Sequence, residues 1–327
     1  MKPDNPEMPS GPAGRLAELL RLKQGGFSLV PLPGDVSTRR FFRILDEDGN
    51  PDGKLVMLYP PGSQDDIDRF LALSRIFRGA DLPCPETYAA DPEAGLIVVE
   101  DLGDLLLQDI GPEEREVRYK QALDLLVLLQ DRIPPDLPGP NPPFDRDLFL
   151  RELRLFAETV PPAAAGEAWE ELFATVIDAL QGQPRVFCHR DYHCRNLLLK
   201  QGILAFVDFQ DARQGPYSYD PVSLIHDPYA SLSRTLARRL REYYRKRRGG
   251  ISPPVFARDC DMMLLQRLLK AAGTYGSVFR KTGNDSYLRF LAPCRGAVRA
   301  VLESRNELIR FLPLLKGWKL GSSAGDR

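Results

Sequence analysis

The stretch Val186-Phe-Cys-His-Arg-Asp-Tyr-His-Cys-Arg-Asn196, followed by Leu204-Ala-Phe-Val-Asp208-Phe-Gln-Asp211, decides how this chain is read. It sets His189, Asp191 and Asn196 in a polar loop between two short apolar runs, and Asp208 just past the end of a third. Asp and Asn favour turns on their own account, so a single one of them says little. The joint pattern H-x-D-x-x-x-x-N, an apolar strand and then Asp points to phosphoryl transfer. That reaction needs a carboxylate to accept the proton of the attacking hydroxyl and oxygen ligands to hold magnesium against the phosphates. Asp191 suits the first task; Asn196 and Asp208 suit the second. A neutral amide with a single carboxylate holds a metal without cancelling its charge, and the metal's value lies in that remaining charge.

The same loop admits a rival reading. Cys188, His189, Asp191, His193 and Cys194 are all zinc-ligand types, and His189 and His193 would share a face if the segment were helical. Val-Phe before it and Asn-Leu-Leu-Leu after it favour strand–loop–strand instead, and the only other histidine is His226.

Outward from this loop the order of elements predicts an α+β protein. Residues 14–23 read as a short helix. Phe41, Phe42 and Ile44, then Leu55–Leu58 beyond a DGNPDG turn, read as an antiparallel hairpin. Residues 64–79 read as a helix and Leu96–Val99 as a strand. After residue 104 the chain turns helical, over 112–131, 145–159 and 164–181, with short strands at 186–187, 197–199 and 204–207. Residues 262–281 carry Leu265, Leu268, Leu269, Ala272, Tyr275 and Phe279 at helical spacing. The expected organisation is a tail at 1–13, a small sheet-containing lobe at 14–103 that binds nucleotide, a larger helical lobe at 104–320 with the catalytic and acceptor residues, and a tail at 321–327.

Composition narrows the class. The chain has 327 residues, with 44 basic and 45 acidic side chains and a net charge of -1. Nucleic-acid or anionic-membrane binders carry a basic excess or face, so a small molecule is the expected partner. Oligomeric state leaves no trace in the sequence. Five widely spaced cysteines are an odd number in a long chain, which reads as free thiols in a reducing compartment. MKPDNPEMPSGP has no apolar core and reads as a disordered tail rather than a signal peptide. No stretch approaches the ~18 apolar residues of a membrane helix, and a cytoplasmic protein is expected.

HRDYHCRN with VDFQD resembles the aminoglycoside phosphotransferase/choline kinase superfamily, over about residues 27 to 312. The resemblance implies a bilobal protein-kinase-like fold, ATP as donor and Mg2+ as metal, with His189 supporting the loop and the metal Asp. It also implies that Asp220 braces the catalytic loop, although Asp220-Pro221 by itself reads as a helix N-cap with proline at N1. GDVSTRRFFRI (34–44), GPYSYDPVSLIHDPY (215–229) and LQRLLKAAGTYGSVF (265–279) are similar to bacterial anomeric kinases for N-acetylmuramate and N-acetylglucosamine in cell-wall recycling. Those enzymes phosphorylate the C1 hydroxyl.

On the nucleotide side, Val99, Glu100 and Leu102, with Asp101, stand where the resemblance places the strand that meets adenine. No G-x-G-x-x-G precedes the second strand, so the phosphates would rest on a Ser37-Thr38 turn. Met57 stands where a phosphate-binding lysine is expected. Arg39, Arg40 or Lys54 would then supply the charge; strand alternation sends the two arginines to opposite faces, and the sequence leaves open which one serves. This gap sustains a second reading, a nucleotide-binding pseudokinase, which the joint retention of Asp191, Asn196 and Asp208 opposes. Arg195 meets a phosphate or solvent. The arginine-rich segment 234–248 suits a neutral or anionic sugar better than an aminoglycoside, and choline would want an aromatic cage. Tyr219, Gln266, Arg267 and Lys270 are the candidate acceptor contacts.

Overall fold

In the computed structural model, residues 8–20, 26–32, 39–160, 166–230 and 232–318 are described. In chain order these are α1 (Ser10–Leu20), β1 (Ser28–Pro31), β2 (Arg40–Leu45), β3 (Pro51–Leu58), α2 (Gln64–Gly79), β4 (Thr87–Asp91), β5 (Leu96–Glu100), α3 (Pro112–Arg132), α4 (Arg146–Thr159) and α5 (Gly166–Gln181). There follow β6 (Arg185–Cys188), β7 (Leu197–Lys200), β8 (Ile203–Phe206), β9 (Arg213–Pro216), α6 (Tyr219–Ile225), α7 (Arg234–Arg248), α8 (Pro253–Thr282) and α9 (Leu291–Ser304). They divide into two compact units, residues 1–142 with 189–213, and residues 143–188 with 214–327.

The first unit is built on a five-stranded sheet of order β1-β2-β3-β5-β4, antiparallel at every pairing. The β2–β3 hairpin turns at Asp46, whose carboxylate accepts the N–H groups of Asp48 and Asn50 (3.0 and 2.8 Å). An Asp that hydrogen-bonds the backbone just ahead of it is a self-contained turn signal. Because side chains alternate along a strand, the sheet has two distinct faces. Phe42, Ile44, Val56, Leu58, Leu96 and Val98 form one, packed with Leu16 of α1. Phe41, Met57 and Ile97 align in register on the other. In the same unit Phe70 and Phe77 of α2 pack against Phe206 and Phe209, with ring centroids 4.9–5.2 Å apart. This aromatic cluster anchors the residues on either side of Asp208.

The helices and strands read from sequence are present with modest changes of boundary. α1 starts at Ser10, with Pro12 in its first turn, where the missing proline N–H is no loss; its expected end at 23 falls outside the described residues. α8 begins at Pro253 for the same reason, nine residues before its apolar spacing becomes regular. Three strands had no sequence signal. β4 (TYAAD) and β9 (RQGP) are poor strand sequences, and β1 is a four-residue edge; each exists through pairing with a partner strand, which propensity does not register. Among the described residues no helix is long and apolar enough to cross a membrane.

In the second unit α8 lies against α4 at close range. A Cβ at Gly273 would stand 2.6 Å from the Phe156 backbone nitrogen, and one at Gly276 would stand 2.9 Å from the Thr159 side chain. Phe156 also contacts Trp169 and Trp318, with centroids 4.9 and 4.8 Å away. Gly296 of α9 meets nothing within 4 Å. Gly273→Ala should therefore destabilise the protein by about 1–3 kcal/mol through overpacking, whereas Gly296→Ala should be neutral or add about 0.5–1 kcal/mol. Urea unfolding of the two variants checks the contrast, and an equal response from both would contradict this packing.

Candidate active site

The residues singled out by the opening motif lie in the first unit, on and beside one small hairpin. β7 and β8 pair antiparallel, with Leu197 opposite Phe206. One step outward, the Asn196 carbonyl accepts the Val207 N–H (3.0 Å). Asn196 therefore faces the residue immediately before Asp208, although eleven positions separate it from Val207. The Asn196 amide is itself oriented: its Nδ2 donates to the Asp191 carbonyl (2.9 Å), which turns Oδ1 to the opposite end. The Asp191 carbonyl also accepts the His193 N–H (3.1 Å), and the Asn196 N–H donates to the His193 carbonyl (3.0 Å). The loop is thus closed on itself, with the half-buried Asp191 carboxylate extending from it.

Two backbone positions are unusual. Asp208 has φ 62° and Arg190 has φ 79°, left-handed conformations that cost a non-glycine residue energy and collect at functional sites. Ion pairing helps hold them. Arg190 Nη1 lies 2.7 Å from Asp211 Oδ2. Asp208 Oδ1 accepts from Arg39 Nη2 (2.5 Å) and from Gln210 Nε2 (3.0 Å). Burial pushes the Asp208 carboxyl up, but the Arg39 charge and these bonds outweigh it and hold the group below its ordinary value. Tyr192, fully buried, donates its hydroxyl to the Ala122 carbonyl of α3 (2.7 Å). Arg195 donates to Gln108 (3.0 Å) in the short turn Leu107–Asp109. Sequence reasoning missed Arg39 as a partner of Asp208, and Arg190 and Tyr192 altogether. Their partners are distant in the chain or carry no motif of their own.

His189 is fully buried, edge-on to Tyr192 and Phe206 (5.5 Å each). Burial lowers its pKa to about 4, against the opposing charges of Asp191 and Asp208. The imidazole is therefore neutral near pH 7. The metal question turns on donor chemistry. Asp208 and the Asn196 amide oxygen are two hard donors placed together by the β7–β8 register, and magnesium binds through one or two protein oxygens with substrate phosphates completing its shell. The residues fit that ion. Among the described residues no three His, Cys, Asp or Glu side chains converge as a metal cage, so the zinc reading finds no ligand set here.

The expected nucleotide residues divide sharply. Ser37 and Thr38 lie outside the described residues. The Arg39 guanidinium sits 5.8 Å from the Phe41 ring and 5.9 Å from Tyr59, on the sheet face that carries Met57. Arg40 lies over Phe42 (4.9 Å) on the opposite face. Lys54 also belongs to that opposite face and pairs with Asp52 (2.5 Å). Alternation separates these cations, and only Arg39 of the three stands beside Asp208. At the end of β5, Val99 pairs with Leu55, and the Glu100 N–H donates to Glu86 (2.8 Å). The Glu100 side chain accepts from Lys200 (2.7 Å), which also donates to the Asp101 carbonyl (2.9 Å). Asp101 binds Arg43 through both carboxylate oxygens (2.5 and 3.2 Å). The acidic side chains of this segment therefore hold the strand end in place, and the buried Leu102 follows them.

The four acceptor candidates gather in the second unit. Arg267 Nη1 donates to the Tyr219 hydroxyl (2.5 Å) with its guanidinium over the Tyr219 ring (4.7 Å), and Lys270 Nζ lies 3.5 Å from the same hydroxyl. Glu152, which the sequence did not flag, binds Lys270 (3.1 Å) and Gln266 (2.7 Å). Gln266 is fully buried, so it orients Glu152 from beneath. Asp220, read as an N-cap, is inside the first turn of α6 after Ser218 and is fully buried.

The pKa of His189 has a consequence for stability. An unfolded histidine, near 6.5, takes up a proton that the buried one refuses, so the unfolded state binds more protons as the pH falls. Stability should be level above pH ~6.5 and fall as pH is lowered from there toward about 4. Urea unfolding across that window checks this, with His226, also lowered to about 4 by burial, contributing in the same direction; a flat profile would contradict two neutral buried imidazoles.

Residues 28–258 match the model of the phosphotransferase enzyme family, APH. The N-acetylmuramate/N-acetylglucosamine kinase of Pseudomonas aeruginosa is 32% identical over 306 residues, covering 87% of this chain and 88% of that protein. The protein of the same name from Neisseria meningitidis serogroup B is 30% identical, covering 88% and 90%. Among solved structures, ADP-bound aminoglycoside phosphotransferase APH(2'')-Ib superposes with a TM-score of 0.64 at 14% identity, over 92% of this chain and 99% of that one. A choline/ethanolamine kinase family protein from Mesorhizobium loti gives 0.61 at 18%, over 93% and 97%. With its catalytic-type loop, its antiparallel sheet and these relatives, the chain belongs to the APH phosphotransferase family and has its protein-kinase-like fold.

Proposed function

We propose that this protein is a magnesium-dependent kinase that moves the γ-phosphoryl group of ATP to the anomeric C1 hydroxyl of an N-acetylated amino sugar, in cytoplasmic cell-wall recycling. The observation that carries phosphoryl transfer is the β7–β8 register, which sets Asn196 beside the strand end bearing Asp208 while the Asn196 amide clasps the Asp191 carbonyl. The choice of sugar is supported by the names of the relatives that match most of the chain.

In this mechanism the Asp191 carboxylate accepts a hydrogen bond from the sugar hydroxyl and orients its oxygen toward the γ-phosphorus. A new oxygen–phosphorus bond forms as the bond from the γ-phosphorus to the β–γ bridging oxygen breaks, ADP departs with that electron pair, and Asp191 takes the hydroxyl proton. Asn196 Oδ1 and the Asp208 carboxylate would hold magnesium, which when bound neutralises charge on the phosphate oxygens. The segment Val99, Glu100 and Leu102 is assigned to the adenine edge through backbone groups other than those of Val99 and the Glu100 N–H, which the sheet already pairs, and the Arg43–Asp101 and Lys200–Glu100 pairs hold that segment in place. His189, neutral and buried, supports the loop rather than carrying the proton. Arg195 steadies the turn at Gln108. In the second unit Tyr219, Arg267, Lys270 and Glu152 form the polar network assigned to the sugar's hydroxyl and acyl groups, with Gln266 behind Glu152.

Asp191→Asn should fold and bind nucleotide as the wild type does, yet turn over about 10²–10⁴-fold more slowly, the usual contribution of a positioned base. Steady-state kinetics with N-acetylglucosamine and N-acetylmuramate measures this, and a rate near wild type would remove Asp191 from the role. A panel with kanamycin and choline beside the two amino sugars tests the acceptor: phosphorylation at C1 of either amino sugar supports the assignment, and preference for kanamycin or choline overturns it. Nucleotide binding without turnover of any acceptor would instead favour a pseudokinase.

A further inference from the structure

Arg39 approaches Asp208 from the start of β2, at a sequence separation of 169 residues. Its Nη2 lies 2.5 Å from Asp208 Oδ1, and its side chain is only 14% exposed, between the rings of Phe41 and Tyr59. This is a built position. Two aromatic walls direct the guanidinium at one oxygen of one carboxylate, a favourable setting for a cation. The carboxylate that a divalent ion would need is thereby already matched by a positive charge. A guanidinium beside Asp208 and a divalent ion on Asp208 repel each other at short range, so the two compete for the same carboxylate. A bound nucleotide removes the conflict. Its phosphates present several anionic oxygens next to the metal, and a planar guanidinium binds phosphate in bidentate fashion.

Building on the kinase reading above, we propose that Arg39 is the phosphate-gripping cation of this enzyme and that it also acts as a latch. In the nucleotide-free protein it holds Asp208; on loading, it passes from the carboxylate to the nucleotide phosphates as the metal takes its place. Metal and nucleotide therefore enter together, and the metal alone binds weakly. Arg40 and Lys54 are excluded from this role by alternation, since both belong to the face opposite Met57. The strand itself offers Met57 at this point, buried in register between Phe41 and Ile97, so the cation on this face stands on the residue preceding β2 and not on β3.

The latch separates two affinities that an ordinary phosphate ligand would not. Removing the guanidinium frees Asp208 for a metal ion but takes a partner from the nucleotide. Mn2+ titration of the nucleotide-free protein, followed by electron paramagnetic resonance, should show Arg39→Met binding the ion more tightly than wild type. Calorimetry with Mn2+ and a non-hydrolysable ATP analogue should show the same variant binding nucleotide about tenfold to a hundredfold more weakly, the loss expected for a charge-assisted contact. Arg39→Lys keeps the charge without the fork and should fall between the two on both measurements; it also serves if the methionine variant is unstable. Unchanged affinities in both variants would overturn the proposal, as would weaker Mn2+ binding on loss of the guanidinium. An equal loss in Arg40→Met would overturn the choice of Arg39. Failure of the wild type to bind the metal–nucleotide pair would instead overturn the kinase reading itself.

Discussion

The β7–β8 pairing is the constraint on which the candidate site depends. It is four residues a side, too short to be stable by itself, and it persists because both strands are built into the first unit. Leu198 bridges to Leu106, the Leu199 N–H donates to the Leu105 carbonyl, and the Phe206 N–H donates to the Pro83 carbonyl. Phe206 and Phe209 then sink into the aromatic cluster of α2, so the Asp208 between them cannot drift. Once that register is fixed, Asn196 and Asp208 have no freedom to separate. A slip of one residue would send every side chain of the hairpin to the other face.

A second layer of control is electrostatic. Four ion pairs cross this unit at sites that matter: Arg39 to Asp208, Arg43 to Asp101, Lys200 to Glu100 and Arg190 to Asp211. They are partly buried, and pairs of this kind contribute more to position than to net stability, because desolvation offsets much of the attraction. Position is what phosphoryl transfer requires, since its catalysis consists largely of holding groups in place with the right charge. The neutral His189 belongs to the same logic. A buried imidazolium beside Asp208 would oppose a metal, whereas burial keeps the ring uncharged.

The second unit solves a different problem. Its glycine contact between α4 and α8 brings two backbones together, and the same two helices supply Glu152, Gln266, Arg267 and Lys270 to one network around Tyr219. Close helix packing thus fixes a polar cluster without relying on loops, and rigid elements hold side chains more accurately than loops do.

Much of this was legible in the sequence. The helices at 64–79, 112–131 and 145–159, the β2–β3 hairpin and the loop carrying Asp191 and Asn196 followed from local rules of periodicity, turn chemistry and motif spacing. Those rules act within a few residues, so the sequence by itself determined them, along with the chemical class of the loop. It did not show β1, β4 or β9, which exist through their partners. Nor did it show the contacts of Glu152, Tyr192 or Arg190, which span distances no local pattern encodes. The adjacent pair Arg39-Arg40 marks the boundary between the two kinds of knowledge. Local rules require that neighbouring strand residues face opposite ways. Which face meets Asp208 is settled only when α1 covers the side of Phe42 and Val56 and the distant Asp208, beyond the end of β8, meets Arg39 on the side of Phe41 and Met57.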